Sequence, residues 1–227
     1  MKHHRSKKGF SLIELLVVIG IILIVASVII VGGGGGGGAS LSSSQRIVGG
    51  IVSGARGQAI LKGATARLII HNDPDEVDRY RRFFGIIYDQ SDDPSTTEWV
   101  AATSGTYLPE GTYFDAVTSA SQQGSSWSEI NEMNIDYPLT RPQDGSSGTP
   151  YYYYEFKSSG TTTDPNAWLV LRAGTMIPTG DGSSVDIIQV EEVESALKAA
   201  LIIRRTGSVT LVQEPDVIDE SNSGEIE

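Results

Sequence analysis

The 227-residue chain carries 28 acids against 17 bases and no cysteine, a formal net charge of −11. Its length suits one globular domain with an appendage rather than a multidomain enzyme. Without cysteine there is no disulfide framework, zinc-thiolate site, iron–sulfur cluster or thiol nucleophile. The acid excess opposes a grip on phosphates, which rests on lysine and arginine displacing counterions, so nucleic acid is not an expected partner.

The charge is unevenly placed. Met1 to Gly9 holds Lys2, Arg5, Lys7 and Lys8 and no acid, and Phe10 to Val31 is apolar except for Ser11, Glu14, Gly20 and Ser27. As a helix the apolar run is ~33 Å long, enough to cross a hydrocarbon core, with the basic stub on the cytoplasmic side. A lone strand in lipid would leave its backbone unpaired, which leaves only a helix. A secretory signal has an apolar core of about 7–15 residues and a small-residue cleavage site. Here the core is longer and glycine follows it. A plain anchor has no use for Glu14, whose ionised form costs roughly 2.5–3.5 kcal/mol in the bilayer.

The run Lys7-Lys8-Gly9-Phe10-Ser11-Leu12-Ile13-Glu14-Leu15-Leu16-Val17-Val18-Ile19 closely resembles the class III signal of type IV pilins and pseudopilins. The resemblance implies that a prepilin peptidase cuts between Gly9 and Phe10 and methylates the new terminus. It also implies that Glu14 pairs with the terminal amine of Phe10 on a neighbouring subunit and sets the register of a helical filament. The processing residues are then Gly9 and Phe10, and the assembly residues Phe10 and Glu14.

Gly32 to Gly38 is a run of glycine. It contains G-x-G-x-x-G trivially, but a nucleotide fingerprint needs a strand before it and a helix after it. Each glycine costs a helix ~1 kcal/mol, so residues 32–40 read as a hinge. Leu41, Val48, Ile51, Val52, Ala55 and Ala59 then recur at helical spacing and predict an amphipathic helix over 41–60, weakened by Gly49, Gly50, Gly54 and Gly57. Beyond Gly63 the pattern turns to strands at Ala64–His71, Tyr80–Asp89, Glu98–Ala102, Tyr151–Lys157, Ala167–Arg172, Ser184–Val190, Ala199–Arg205 and Ser208–Gln213. Thr206-Gly207 marks a closing hairpin. A short helix is expected within Ser119–Asn134 and a loop over Thr140–Pro150. Glu214–Glu227 has six acids and no base and reads as a solvated, disordered tail.

Val52 to Ile60, with Ala55-Arg56-Gly57-Gln58-Ala59-Ile60, followed by Gly63 and Ala66-Arg67-Leu68-Ile69-Ile70, resembles the GspH/FimT family of minor pseudopilins. Trp99, Leu108-Pro109-Glu110-Gly111 and the Leu201–Val212 hairpin fit the same pattern, whereas Gly124–Tyr154 matches nothing in it. The glycine run stands where that family continues a helix. The expected fold is α+β: a long, partly transmembrane amino-terminal helix packed on a predominantly antiparallel β-sheet domain. The expected organisation is a leader (1–9), a membrane and assembly helix (10–31), a glycine hinge (32–40), an amphipathic helix (41–60), a β-rich periplasmic domain (61–213) and an acidic tail (214–227).

What the resemblance implies is a non-enzymatic minor pseudopilin of a type II secretion pseudopilus, single-pass in the inner membrane with its amino terminus cytoplasmic. Its partners would be other pseudopilins, itself, the prepilin peptidase and the inner-membrane secretion platform, with no cofactor. The runner-up is a type IV pilus minor pilin of DNA uptake.

Several clusters have bland readings. His71, the only histidine beyond the leader, reads as a solvated turn residue with no triad around it. Asp73, Asp75 and Asp78 are calcium candidates by residue type, but they lack EF-hand spacing and suit a solvated turn. Arg79, Arg81, Arg82, Arg204 and Arg205 read as solvent-facing strand residues or intersubunit ion pairs, and Tyr151–Tyr154 as an edge or interface strand.

Overall fold

The computed structural model describes residues 12–13, 16–19, 36–93, 95–122, 130–139, 141–179, 184–188 and 197–212. The chain divides into two units, Met1–Gly36 and Gly37–Glu227. In the first, residues 12–13 and 16–19 are helical, and Leu12, Ile13, Leu16, Val17, Val18 and Ile19 are exposed. Among the described residues no helix is long and apolar enough to cross a membrane. Most of the expected span 10–31 lies outside them, as do Gly32 to Gly35 and the acidic tail.

Helix α1, Gly36–Lys62, starts at the last residue of the first unit and otherwise belongs to the second. The expected face is the buried one: Leu41, Val48, Val52, Ala55 and Ala59 are all in the core. Four interior glycines cost the helix about 4 kcal/mol together. Burying Leu41, Val48 and Val52 at roughly 1.5–3 kcal/mol each outweighs that, so packing overrides propensity. Gly54 serves the packing directly, because a Cβ there would sit 3.2 Å from Ile86 Cδ1. The helix starts five residues before the expected Leu41 and so takes in Gly36, Gly37 and Gly38. Once nucleated by its packed turns it can extend outward one residue at a time.

Strands β1 (Ala66–His71), β2 (Phe83–Asp89), β3 (Trp99–Ala101), β4 (Thr106–Tyr107), β6 (Glu132–Ile135) and β7 (Thr149–Phe156) form one antiparallel sheet in the order β3-β2-β1-β7-β6, with β4 also on β2. A second antiparallel sheet runs β12-β11-β8-β5, from β5 (Thr112–Phe114), β8 (Ala167–Ala173), β11 (Lys198–Ile203) and β12 (Val209–Val212). Strands β9 (Thr175–Thr179) and β10 (Ser184–Ile188) make a separate ribbon. The fold is thus α+β with a long helix on antiparallel sheet, as expected, but the sheet is divided in two. The eight expected strands are present with ends shifted by up to three residues, β7 starting at Thr149 inside the expected loop 140–150, while β4, β5, β6 and β9 are additions. Helix α2 is Ala116–Ser121, earlier than expected, because Asp115 Oδ1 accepts the Thr118 N–H at 3.0 Å and caps it there.

The main core lies where α1 meets both sheets, joining Leu68, Ile70, Phe84, Phe114, Tyr154, Phe156, Leu169, Leu171 and Leu201 to the helix residues. The first sheet is buried on its other face too. There Ile69, Phe83, Ile87, Trp99, Met133, Ile135, Tyr137 and Tyr151 form a second cluster. Two buried faces explain why β1 and β2 read as nearly unbroken apolar runs. Residues from the unmatched stretch 124–154 build this second core, with Gln143 bridging to Trp99 through paired backbone bonds of 2.7 and 3.1 Å.

The closing hairpin is where Thr206-Gly207 marked it. Gly207 has φ +72°, and a Cβ there would lie 2.2 Å from Gly160 O, so only glycine suits the position.

Candidate functional site

Two groups of residues carry the functional reading, the amino-terminal signal and the polar contacts that tie α1 and the 72–82 loop to the sheets. Gly9, Phe10 and Glu14 lie outside the described residues. Their helical neighbours Leu12, Ile13 and Leu16–Ile19 expose apolar side chains, the chemistry that lipid or other apolar helices cover.

The polar seam of α1 was not legible in the helical pattern. Gln45, buried, donates from Nε2 to Ala200 O at 2.8 Å and to Val212 O at 2.9 Å, so it satisfies carbonyls on both strands of the closing hairpin. Next to it, Ser44 Oγ lies 2.8 Å from Thr112 Oγ1 at the start of β5. At the other end Arg56 Nε donates to Gly160 O at 3.2 Å. The Ala-Arg-x-x-Ala-Ile pattern therefore has a physical content: Ala55 and Ala59 allow close approach, and Arg56 fastens the helix end to a turn.

Residues 72–82 are a turn-rich loop between β1 and β2, and here several expectations are corrected. His71 is fully buried rather than solvated, because it ends β1 beneath this loop. Its ring meets Tyr151 edge-on at 5.1 Å, its Nδ1 accepts the Asp73 N–H at 3.5 Å, and its Nε2 lies 3.4 Å from Glu76 Oε2. Arg79 clamps the arrangement, donating to Glu76 Oε2 at 2.9 Å, Tyr151 Oη at 2.8 Å and Tyr137 O at 3.2 Å. Burial first, and the Arg79 charge second, hold the His71 imidazole below its ordinary pKa, against the opposing pull of Glu76 and Asp73. Among the described residues no hydroxyl bonds to this imidazole.

A neutral buried imidazole has a consequence for stability. The unfolded chain takes up the proton near the ordinary value of 6.5 while the folded chain resists it. The contribution is therefore complete above that value and is lost as pH falls below it. Urea titrations of the full chain in detergent from pH 7.5 to 5 should show the parent losing stability relative to His71→Phe. Parallel curves would show that the imidazole is not held neutral.

Asp73 spends Oδ1 on the Asp75 N–H at 3.0 Å, while Asp75 and Asp78 are exposed. Among the described residues no three acidic or histidine side chains come together to hold a metal ion. Arg79, Arg81 and Arg82 belong to the loop rather than to a strand, since β2 begins only at Phe83. Arg81 sits at φ 54° and cannot continue the strand conformation. Arg82 Nη2 donates to Leu108 O at 3.1 Å. The tyrosine run is interior, not an edge: β7 lies between β1 and β6, with Tyr151 and Tyr154 buried. Tyr154 Oη donates to Trp168 O at 2.7 Å and links the two sheets. Burial raises both phenols far above their usual range.

Residues 4–30 match the family described as the prokaryotic N-terminal methylation motif. The chain carries the amino-terminal signal of the type IV pilin and pseudopilin superfamily. Among solved structures it is similar to the minor pseudopilin EpsH from the type 2 secretion system of Vibrio cholerae. Two structures of that protein are 13% and 14% identical, with TM-scores of 0.36 and 0.39, covering 76% and 78% of this chain and 96% of theirs. It is also similar to the type IV minor pilin FimU of Pseudomonas aeruginosa PAO1, at 10% identity and a TM-score of 0.37, over 76% of this chain and 87% of that one. Likeness at this level transfers no function. No curated protein matches the chain.

Proposed function

We propose that the chain is a minor pseudopilin, a non-catalytic subunit of a type II secretion pseudopilus. The observation that carries the reading is the signal at residues 4–30 on a chain whose remaining domain packs a long helix on antiparallel sheet. The residues from Val52 to Ile70 that resemble the GspH/FimT family are the helix-docking and first-strand residues of the fold.

In this reading residues 10–31 anchor the subunit in the inner membrane, with the basic leader cytoplasmic and the β-rich domain periplasmic. A prepilin peptidase removes Met1–Gly9 and methylates Phe10. The new amine then neutralises Glu14 of a neighbour. An unpaired carboxylate in lipid costs roughly 2.5–3.5 kcal/mol, so only the register that supplies an amine is free of that penalty. The secretion platform and the other pseudopilins are the proposed partners.

Intact mass after expression in a host with an active prepilin peptidase tests the first step. The expected product begins at N-methylated Phe10, and retention of the leader would remove the central claim. Deleting the gene in its own host separates the machines: loss of protein secretion across the outer membrane is expected, whereas loss of surface pili with secretion intact would favour the pilus reading.

A further inference from the structure

Residues 141–148 belong to the long loop that joins β6 to β7, yet they reach the opposite edge of the first sheet. There the Trp99 N–H of β3 donates to Gln143 O at 2.7 Å, and the Gln143 N–H donates back to Trp99 O at 3.1 Å. Two residues on, Gly145 O accepts the Asn134 N–H of β6 at 3.2 Å. The Gln143 side chain adds a ring of bonds just past β6, its Oε1 accepting the Asp136 N–H at 2.9 Å and its Nε2 donating to Asp136 O at 3.0 Å. Thr97 Oγ1 donates to Asp144 O at 3.2 Å. Since β3 and β6 are outer strands of the sheet, one short segment bonds both edges. It closes the sheet on itself around the second core.

Hydrogen bonding rather than burial holds this segment. None of its eight residues is buried, and Arg141, Pro142, Asp144, Ser146, Ser147 and Gly148 are exposed. What it covers is apolar, for Trp99 is 2% exposed and Met133 6%. A Cβ on Gly145 would stand 3.0 Å from Met133 Cε and 3.2 Å from Trp99 Nε1, so bare backbone lies against both side chains. Gly145 and Gly148 bend the segment at φ +83° and +113°, on residues with little backbone preference of their own. A segment tied by exposed hydrogen bonds and anchored by no buried side chain has the makeup of one that opens locally while the core stays folded.

We propose that residues 141–148 are a strap that opens as one unit, uncovering Trp99, Met133 and the edges of β3 and β6 while the rest of the domain stays folded. Closed, the strap withholds both edges from pairing with another chain, the hazard that unpaired edge strands carry. The N–H groups of Trp99, Asn134, Asp136 and Gln143 are each bonded across it, so one opening frees all four.

Residue-resolved amide exchange on the full chain in detergent tests this. Corrected for intrinsic rates, the four amides should share one protection, lower than that of the central strand β1. Urea below the unfolding transition should leave it unchanged, since a local opening exposes little surface. Gln143→Ala removes only the two side-chain bonds to Asp136. It should speed exchange at all four amides by one factor, roughly tenfold, and leave β1 as it was. Acceleration confined to Asp136 would mean that the bonds break one by one, which overturns the proposal. So would protection that equals that of β1 and falls with urea alongside it, because the strap would then be part of the core. If Gln143→Ala fails to fold, the urea series on the parent decides by itself. The readout needs neither processing nor assembly, so its failure is separate from any failure of the pseudopilin reading.

Discussion

Replacing Phe114 by alanine is expected to lower the unfolding free energy by about 3–5 kcal/mol, a large share of the roughly 5–15 kcal/mol that holds a domain together. Phe114 is fully buried on β5 and meets Tyr152 and Tyr154 edge-on at 5.7 and 6.4 Å, in the core that α1 shares with both sheets. Its truncation leaves a cavity walled by Tyr154, which is itself held by Trp168 O and cannot swing in. Urea denaturation of the full chain in detergent measures the loss, with Phe114→Leu as a milder companion. A loss under about 1 kcal/mol would show that the site collapses freely and that the two sheets do not depend on this contact.

The second large effect belongs to the proposed membrane segment, residues 10–31. Glu14→Ala should leave cleavage at Gly9-Phe10 and membrane insertion intact, because the apolar run only gains by losing a charge. Assembly should fall below detection by cross-linking between neighbouring subunits in the membrane, because the proposed pairing then lacks its carboxylate for the Phe10 amine. Glu14→Gln should fail in the same way, since it keeps the shape and removes only the charge. Wild-type incorporation of either variant would sink the proposed pairing and leave hydrophobic packing as the source of register.

The methylation motif over residues 4–30 was legible in the sequence, because it is a local pattern of bases ahead of a long apolar run. The buried face of α1 was legible for a similar reason, as Leu41, Val48, Val52, Ala55 and Ala59 follow the 3.6-residue period by themselves. The eight strong strands announced themselves by apolar runs between turns. The four added strands did not, because Thr106–Tyr107 and Thr112–Phe114 are too short to show a period, and β6 and β9 take their place from the neighbours that pair with them.

Only the tertiary structure decided the roles of the polar residues. Gln45, Ser44 and Arg56 look like solvent-facing helix positions until the carbonyls and hydroxyl they reach, from 68 to 167 residues along the chain, are folded against them. His71 sits next to an acidic turn in sequence and under it in space, because Arg79 draws that turn back onto Tyr151. The tyrosine run became an interior strand once the previously unmatched residues around Glu132–Ile135 supplied an edge outside it. Periodicity and charge pattern report which surface an element turns inward, and these are local properties of the chain. Which polar group finds which partner depends on contacts between segments far apart in sequence, and those distances exist only after folding.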